Sequence, residues 1–226
     1  MDAYELAMPD APAPRDAGPD AGSARDEICG RATTLSCLDF EADPPAPWGV
    51  FRSPSATAPS YEVRPEFRGR ALQVRLSTNS YAGVRLPITD PDQFRRGIFV
   101  SYAMRLTRAE TTGYVVVGEL NGQRFGSFSK ISVDSNAVGI YQLSATGGGG
   151  GPAGSFPEDR WVCVRLEVSS STARAEVDGV ATMITPPSDV GNFEWVAIGV
   201  ATQRDTIEAH YDDVIISTEP VPCLPL

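Results

Sequence analysis

The sequence predicts an all-β fold in which two antiparallel sheets pack as a β-sandwich, and three observations support this. The 226-residue chain contains 21 Gly and 19 Pro, a composition that favours many turns over a helical bundle. Short apolar or alternating segments recur along the chain, and none keeps the helical spacing of apolar residues for about ten positions. The dipeptides Asn121-Gly122 and Asp178-Gly179 are typical of tight hairpin turns, in which both positions need positive φ.

The first 28 residues differ in composition from the rest and are predicted to be a disordered linker. Seven acidic and two basic residues give this segment a net charge of −5, half of the chain's −10. Asp, Ala, Pro and Gly dominate it, so it has little apolar surface to offset the entropy cost of ordering. We therefore expect a mobile acidic spacer over residues 1–28 and one folded β-domain over residues 29–226.

The predicted linker resembles the Asp/Ala/Pro/Gly spacers that follow the lipidated cysteine of bacterial surface lipoproteins. No basic and apolar leader precedes Cys29, so we expect a signal segment upstream of Met1. On this interpretation the protein is extracellular or attached to the cell surface. No apolar run approaches the roughly 20 residues that cross a bilayer, and the excess of acids argues against nucleic acid as a partner.

Four cysteines occur without the closely spaced pairs that are typical of zinc sites. An even number in an exported chain favours disulfides, for which three connectivities are possible. We favour Cys29–Cys37, which would pin the start of the domain, and Cys163–Cys223, which would tether its end. Four unpaired thiols in a cytosolic protein are the alternative.

The predicted strands are short and are separated by Gly, Pro, Asn and Asp. They are the segments 71–77, 82–87, 97–107, 113–120, 123–133, 138–144, 161–168, 172–177, 194–203 and 206–217. The glycine run at 147–151 is predicted to be a flexible loop. Trp48, Trp161 and Trp195 are expected to pack in the core or at its rim, with stacking on sugar rings as the alternative.

One hairpin can be predicted residue by residue. Its first strand, at 161–168, alternates Val and Leu with Trp, Cys, Arg and Glu, and its second strand follows a polar turn. In the resulting register Arg165 lies opposite Glu176, and Glu167 lies opposite Arg174. These two cross-strand pairs of opposite charge explain four charged residues without an active site.

The segment RWVCVRLEVSSSTARAEVDGV at 160–180 resembles a strand pair of concanavalin A-like jelly rolls, the group that holds legume lectins, laminin-G-like modules and many glucanases. CLDFEADPPAPW at 37–48 resembles the opening strand of that fold, and IEAHYDDVIIST at 207–218 resembles the closing strand beside it. The resemblance implies a jelly roll over roughly residues 36–218. A galactose-binding-like β-sandwich, in which similar FE and DDV motifs occur, is the alternative fold.

Both fold groups often hold a structural Ca²⁺ between their first and last strands, so the resemblance implies a calcium site. Calcium prefers six to eight oxygen ligands, mostly carboxylate, carbonyl and water. Glu41 and Asp212 match the carboxylates of that pattern, with Asp39 and Asp213 as substitutes. The alternative is that these acids lie exposed at strand ends, as most carboxylates do.

The catalytic motifs of this fold group are incomplete in the sequence. Its glycosidases pair carboxylates in a Glu-x-Asp-x-x-Glu pattern, whereas Glu176 and Asp178 are followed by Ala181 at the position of the second Glu. Polysaccharide lyases of similar shape use a set of Gln or Asn, His, Tyr and Arg. The corresponding His is absent, and His210, the single histidine, is interpreted as a strand residue. We therefore assign no catalytic residue.

The sequence, taken with the resemblance, predicts a non-catalytic, lectin-like module that binds a polysaccharide or another glycan. The ligand-binding residues expected on central strands are Arg105, Glu119, Tyr141 and Gln142. An atypical polysaccharide lyase or glycoside hydrolase is the first alternative, with Arg105, Glu119 and Tyr141 as the residues to mutate. A structural or adhesive module that binds other proteins is the second.

Overall fold

Two antiparallel sheets packed face to face form the fold, as predicted. The computed structural model describes residues 20–64, 69–77, 79–90, 97–108, 115–122, 127–134, 137–144, 147–149, 157–168, 173–184, 193–202 and 206–224. A single helix among these residues, α1 (Asp20–Cys29), precedes the strands. The strands are β1 (Thr34–Leu38), β2 (Gly49–Arg52), β3 (Ser60–Arg64), β4 (Gly69–Leu76), β5 (Ser80–Pro87), β6 (Ile98–Arg108), β7 (Val115–Gly122), β8 (Ser127–Asp134), β9 (Ala137–Ser144), β10 (Gly147–Gly149), β11 (Trp161–Val168), β12 (Ala173–Val177), β13 (Val180–Ile184), β14 (Phe193–Thr202) and β15 (Ile207–Ser217).

The strand order separates the chain into two sheets. Sheet A has the order β13-β12-β11-β6-β15-β4-β3, and β1 also pairs with β15. Sheet B has the order β10-β9-β8-β7-β14-β5-β2. Leu38 of β1 pairs with Val214 of β15, while β4 pairs with the beginning of the same strand. The first and last strands of the fold are therefore neighbours, as the resemblance implied.

The core lies between the sheets and takes every second residue from most strands. In β5 the hydrophobic core residues are Ala82 and Val84, and in β14 they include Val196 and Ile198. In sheet A, β4, β6, β11 and β15 contribute in the same alternating way. Because successive strand residues point to opposite faces, the residues between these positions lie on the outer faces of the two sheets.

The predicted β11–β12 hairpin is confirmed at the level of its register. Arg165 pairs with Glu176, and Glu167 pairs with Arg174. The ion pairs are concentrated on one residue, because both arginine side chains contact the carboxylate of Glu176, which is only 6% exposed. The predicted turn at 169–172 lies outside the described residues. Glu176 therefore has a structural role, in agreement with the broken glycosidase motif.

Two predicted turns have different outcomes. Asp178 and Gly179 have φ values of 47° and 82° and connect β12 to β13, as predicted. Asn121 and Gly122 do not form the predicted turn, because both still pair with β8.

The glycine run was also predicted wrongly in part, since Gly147–Gly149 forms the edge strand β10 beside β9. A glycine can add its backbone to an exposed sheet edge even though it has a weak preference for strands.

Helix α1 (Asp20–Cys29) lies across the predicted end of the linker at residue 28. Ile28 is 4% exposed and packs with Ile215, Val221 and Leu224, near the C-terminal end of the described chain. Tertiary packing of this kind stabilises short helices that composition alone would not predict. Residues 1–19 lie outside the described residues. No described helix is long and apolar enough to cross a membrane.

Both predicted disulfides are present. Cys29–Cys37 connects the end of α1 to β1, with a Cα–Cα distance of 6.0 Å. Cys163–Cys223 connects β11 to the segment after β15, with a Cα–Cα distance of 5.9 Å. Each bridge therefore tethers one terminal segment of the described chain to sheet A, as proposed from their positions in the sequence.

Candidate functional site

The outer face of sheet B has a floor without side chains where β5 and β14 meet. Gly83 pairs with Gly199, and neither position has room for a side chain. A Cβ on Gly83 would overlap the carbonyl oxygen of Ile198 and lie 2.7 Å from Gly199 Cα. Glycine at such positions marks a close approach of two backbones, and both glycines are buried.

Aromatic side chains and one arginine surround this floor. Phe51 pairs with Gly83 across the β2–β5 ladder, and its ring stacks on Tyr81 with 6.2 Å between centroids. Tyr81 is 45% exposed, an unusual value for a large side chain of this sandwich. On the other side, the Arg85 guanidinium lies 5.5 Å above the ring of Trp195. We call this surface the aromatic face; it comprises Phe51, Tyr81, Gly83, Arg85, Trp195 and Gly199.

Three of the four predicted ligand-binding residues lie in the same sheet as the aromatic face, and two of them, Glu119 and Tyr141, share one row with it. Backbone pairing joins Arg85 to Ala197, Ala197 to Glu119, and Glu119 through Lys130 to Tyr141. This is one continuous row across five strands. The third residue, Gln142, is the chain neighbour of Tyr141 and therefore belongs to the next row.

Arg105, the fourth predicted residue, lies in the other sheet and cannot contribute to the same surface. It is on β6, where it pairs with Trp161 of β11 and with His210 of β15. His210 pairs in turn with Gln73 of β4, which pairs with Ser60 of β3. Sheet A therefore has a polar row that includes the single histidine, which is a strand residue as predicted and is 3% exposed.

The four acids predicted as calcium ligands lie where β1 ends beside β15, and Arg25 of α1 reaches two of them. Its guanidinium is 2.6 Å from Asp39 Oδ2, and its Nε is 3.8 Å from Asp213 Oδ1. Burial acts to raise the pKa of Asp39, but the hydrogen bond and the charge of Arg25 outweigh it and lower this pKa. The chain thus supplies part of the positive charge that this acidic cluster requires.

The remaining two acids, Glu41 and Asp212, are the carboxylates that the resemblance matched to the calcium pattern. Asp212 is 4% exposed, and burial, followed by the charges of Asp213 and Glu41, raises its pKa to about 8. Asp212 Oδ1 accepts the backbone N–H of Asp213 at 2.8 Å, and Glu41 Oε1 accepts that of Arg70 at 2.8 Å. Within the part of the chain that the structure describes, no three His, Cys, Asp or Glu side chains form a group that could hold a metal ion.

Sequence reasoning missed most of the aromatic face. Phe51 lies on β2, a strand that was not predicted. Tyr81 lies on β5, one residue before the predicted strand at 82–87. Trp195 was expected to pack in the core or at its rim, and it lies on the outer face beside Arg85. Trp48 does pack in the core, where its Nε1 donates to Ser36 Oγ at 2.9 Å. Gly83 inside an otherwise apolar strand was the available signal for a close backbone approach.

Comparison with solved structures places the chain among known β-sandwiches. The cellulose-induced protein Cip1 superposes with a TM-score of 0.66 at 12% identity, over 83% of this chain and 99% of that one. Botulinum neurotoxin type C, which depends on interaction with two ganglioside molecules to enter cells, gives 0.62 at 11% identity over 89% of this chain and 50% of that one. A carbohydrate esterase of the Shiga toxin-encoding bacteriophage phi24B gives 0.57 at 15% identity, over 81% and 97%.

Other comparisons give no family. No family model matches the chain, and no curated protein matches it. The chain spans only about half the length of the neurotoxin chain in that structure. The identities of 11–15% establish a shared architecture and nothing finer. The chain therefore has the two-sheet β-sandwich fold of Cip1 and of these other proteins.

Proposed function

We propose that this chain is a non-catalytic carbohydrate-binding module, and that the aromatic face of sheet B binds the glycan. The observation that carries the proposal is the arrangement of one exposed and two half-buried aromatic rings on either side of the Gly83–Gly199 pair. Sugar rings have apolar faces that stack on aromatic side chains, and their hydroxyl groups accept and donate hydrogen bonds at the edges. Tyr81 and Trp195 supply the rings, and Arg85 supplies donors between them.

The placement of the rings supports a flat, extended ligand. Phe51, Tyr81 and Trp195 lie on one face of sheet B, on either side of the Gly83–Gly199 pair, so a sugar chain can lie across them. The row of paired residues continues from Ala197 through Glu119 across the sheet, so a long ligand could extend along it. The fold neighbours are consistent with this use of a sandwich, since one depends on gangliosides and another is a carbohydrate esterase.

An extracellular or cell-surface location belongs to the same proposal. Disulfides form and persist in oxidising compartments, and this chain has two. Glycans that a module of this kind would bind are displayed outside the cell. The resemblance of the acidic N-terminal segment to lipoprotein spacers supports attachment to a surface.

Calcium remains a proposal as well, with Glu41 and Asp212 as the carboxylates that would hold it. When bound, the ion would neutralise two acids that now disfavour each other's charge. A ligand of the native state raises the melting temperature by mass action. We expect calcium to stabilise the wild-type protein and EDTA to reverse this, whereas Asp212→Asn removes the effect. A melting temperature that does not respond to calcium or EDTA would eliminate the site.

A glycan array followed by affinity measurements tests the glycan proposal. For the glycan that binds best, Tyr81→Ala and Trp195→Ala should each weaken binding about tenfold, which corresponds to about 1.4 kcal/mol. Val180→Ala is the matched control, because Val180 is an apolar side chain of sheet A that is 57% exposed. Equal loss in all three variants, or no loss in the two aromatic variants, contradicts the proposal.

The same samples separate the alternative functions. Incubation with the bound polysaccharide and assay for new reducing or unsaturated ends tests for a hydrolase or lyase. Binding without product is the result that we expect. Release of product supports an enzyme with an atypical site, and the absence of binding to every glycan supports a module that binds proteins.

A further inference from the structure

A second cavity, separate from the aromatic face, opens at the end of the sandwich where β4 ends and β15 begins. Its volume is about 410 Å³, which lies in the range of about 300–1,000 Å³ that is typical of small-molecule sites. Hydroxyl side chains from four different parts of the chain line it. They are Ser55, Thr57, Ser77, Thr107 and Thr206.

Arg75 and Glu208 add one charged pair to the lining of this cavity. Arg75 Nε donates to Glu208 Oε2 at 2.8 Å, so the pair brings no net charge. The second carboxylate oxygen, Oε1, accepts from Gln73 Nε2 at 3.0 Å and lies 3.3 Å from His210 Nε2. Gln73 and His210 are 2% and 3% exposed. The buried side chains of Gln73 and His210, which belong to the polar row of sheet A, therefore fix the orientation of the Glu208 carboxylate.

The wall of the cavity is also fixed before any ligand binds. The loop after β2 carries Ser55 and Thr57, and three hydrogen bonds hold it. Ser53 N donates to Tyr81 O at 2.8 Å, Ala56 N donates to Ser53 O at 3.1 Å, and Arg52 Nη1 donates to Ala56 O at 2.8 Å. A preformed wall reduces the ordering cost that a ligand would have to offset.

The chemistry of the lining selects one class of ligand. The balanced pair offers no excess charge to an anion or a cation, and the hydroxyl groups disfavour an apolar molecule. A carboxylate and a guanidinium in contact offer both acceptors and donors, and the hydroxyl groups offer both at once. We propose that this cavity binds a neutral, polyhydroxylated small molecule of the size of one sugar ring, through Glu208, Arg75 and the surrounding hydroxyl groups.

Burial and the neighbouring side chains also fix the protonation state of Glu208, the hydrogen-bond acceptor in this cavity. Burial acts to raise the pKa of Glu208, but Arg75, His210 and Gln73 outweigh it, so this pKa lies below its ordinary value. The carboxylate is thus ionised at neutral pH and accepts hydrogen bonds from ligand hydroxyl groups. Hydrogen bonds to a charged group are stronger than those between neutral groups.

Single sugars test this proposal, with the methyl glycosides of glucose, galactose, mannose and xylose as probes. Saturation-transfer NMR and titration up to about 10 mM should detect at least one of them. Glu208→Gln should weaken that probe about tenfold or more, because it removes a charged acceptor. Thr57→Val and Ser77→Ala should each weaken it a few-fold. Glu219→Gln is the matched control, an exposed acid outside the cavity.

The outcomes separate this proposal from the glycan-binding function of the aromatic face. Thermal unfolding checks that Glu208→Gln is folded; if it is not, Thr57→Val and Ser77→Ala carry the test, because both positions are exposed. No binding by any probe, or binding that all three cavity variants leave unchanged, overturns the cavity site. The aromatic face is judged on polysaccharide affinity alone, so either proposal can fail without the other.

Discussion

Replacing Asp212 by asparagine should stabilise the protein by an amount that grows with pH. Burial, and then the charge of Asp213, raise the pKa of Asp212 from 3.8 to about 8. A carboxyl with a higher pKa in the folded state takes up a proton on folding, so its favourable contribution is complete below about pH 4 and is lost as the pH rises through about 8. Each pH unit between these limits changes the free energy of unfolding by about 1.4 kcal/mol. The free energy of unfolding of Asp212→Asn, measured relative to wild type, should therefore increase by about 3 kcal/mol between about pH 5 and about pH 7.

Urea unfolding in the presence of EDTA at several pH values measures this difference directly. The wild-type curve contains every titrating group, and subtracting it from the variant curve isolates Asp212. Asp43→Asn is the control, because it removes an acid whose side chain is 83% exposed and leaves the buried Asp212 in place. A difference between Asp212→Asn and wild type that stays constant from about pH 5 to about pH 7 would refute the raised pKa.

Three further variants test the fold. Glu176→Ala leaves two arginines beside a buried gap and should cost about 3–5 kcal/mol in urea unfolding; a loss under about 1 kcal/mol contradicts the ion-pair assignment. The double variant Cys163→Ser with Cys223→Ser should cost about 2–5 kcal/mol by calorimetry, and an unchanged melting temperature contradicts a bridge between them. Gly83→Ala should destabilise the β5–β14 pair by about 1–3 kcal/mol, whereas Gly49→Ala, where a Cβ meets nothing within 4 Å, should cost less; equal losses contradict the close approach.

The parts of the fold that sequence could predict are those with local signals. The β11–β12 register follows from the alternation of apolar and charged residues, and the turn at Asp178-Gly179 follows from its need for positive φ. Two disulfides follow from the even number of cysteines in a chain expected to be exported, and the pairing that we favoured among three possible connectivities is the one present. Each of these inferences depends on residues that are close in sequence or on covalent chemistry.

The parts that could not be predicted depend on contacts between distant segments. Helix α1 is stabilised by packing of Ile28 against the segment after β15 and by Arg25 beside Asp39. Strand β10 depends on a free edge of β9, which no property of glycine indicates. Neither partner can be identified from the composition of the segment itself.

The candidate site shows the same division. Glu119 and Tyr141 were chosen as polar or aromatic residues of central strands, and they do fall in one row. Arg105 was chosen on the same grounds, but the strand that carries it belongs to the other sheet. Sheet membership is set by long crossovers, so the pattern within one strand cannot reveal it. For the same reason, the sequence could not predict that the residues of the aromatic face, which lie on three different strands, share one surface.

Chemical-shift mapping with the best ligand of the glycan array tests the central claim most directly. The account predicts that backbone shifts concentrate on the outer face of sheet B, at Tyr81, Gly83, Arg85 and Gly199, and that Trp195→Ala strongly reduces them at a subsaturating glycan concentration. Shifts that concentrate on sheet A, or that persist unchanged in Trp195→Ala, would contradict glycan binding by the aromatic face.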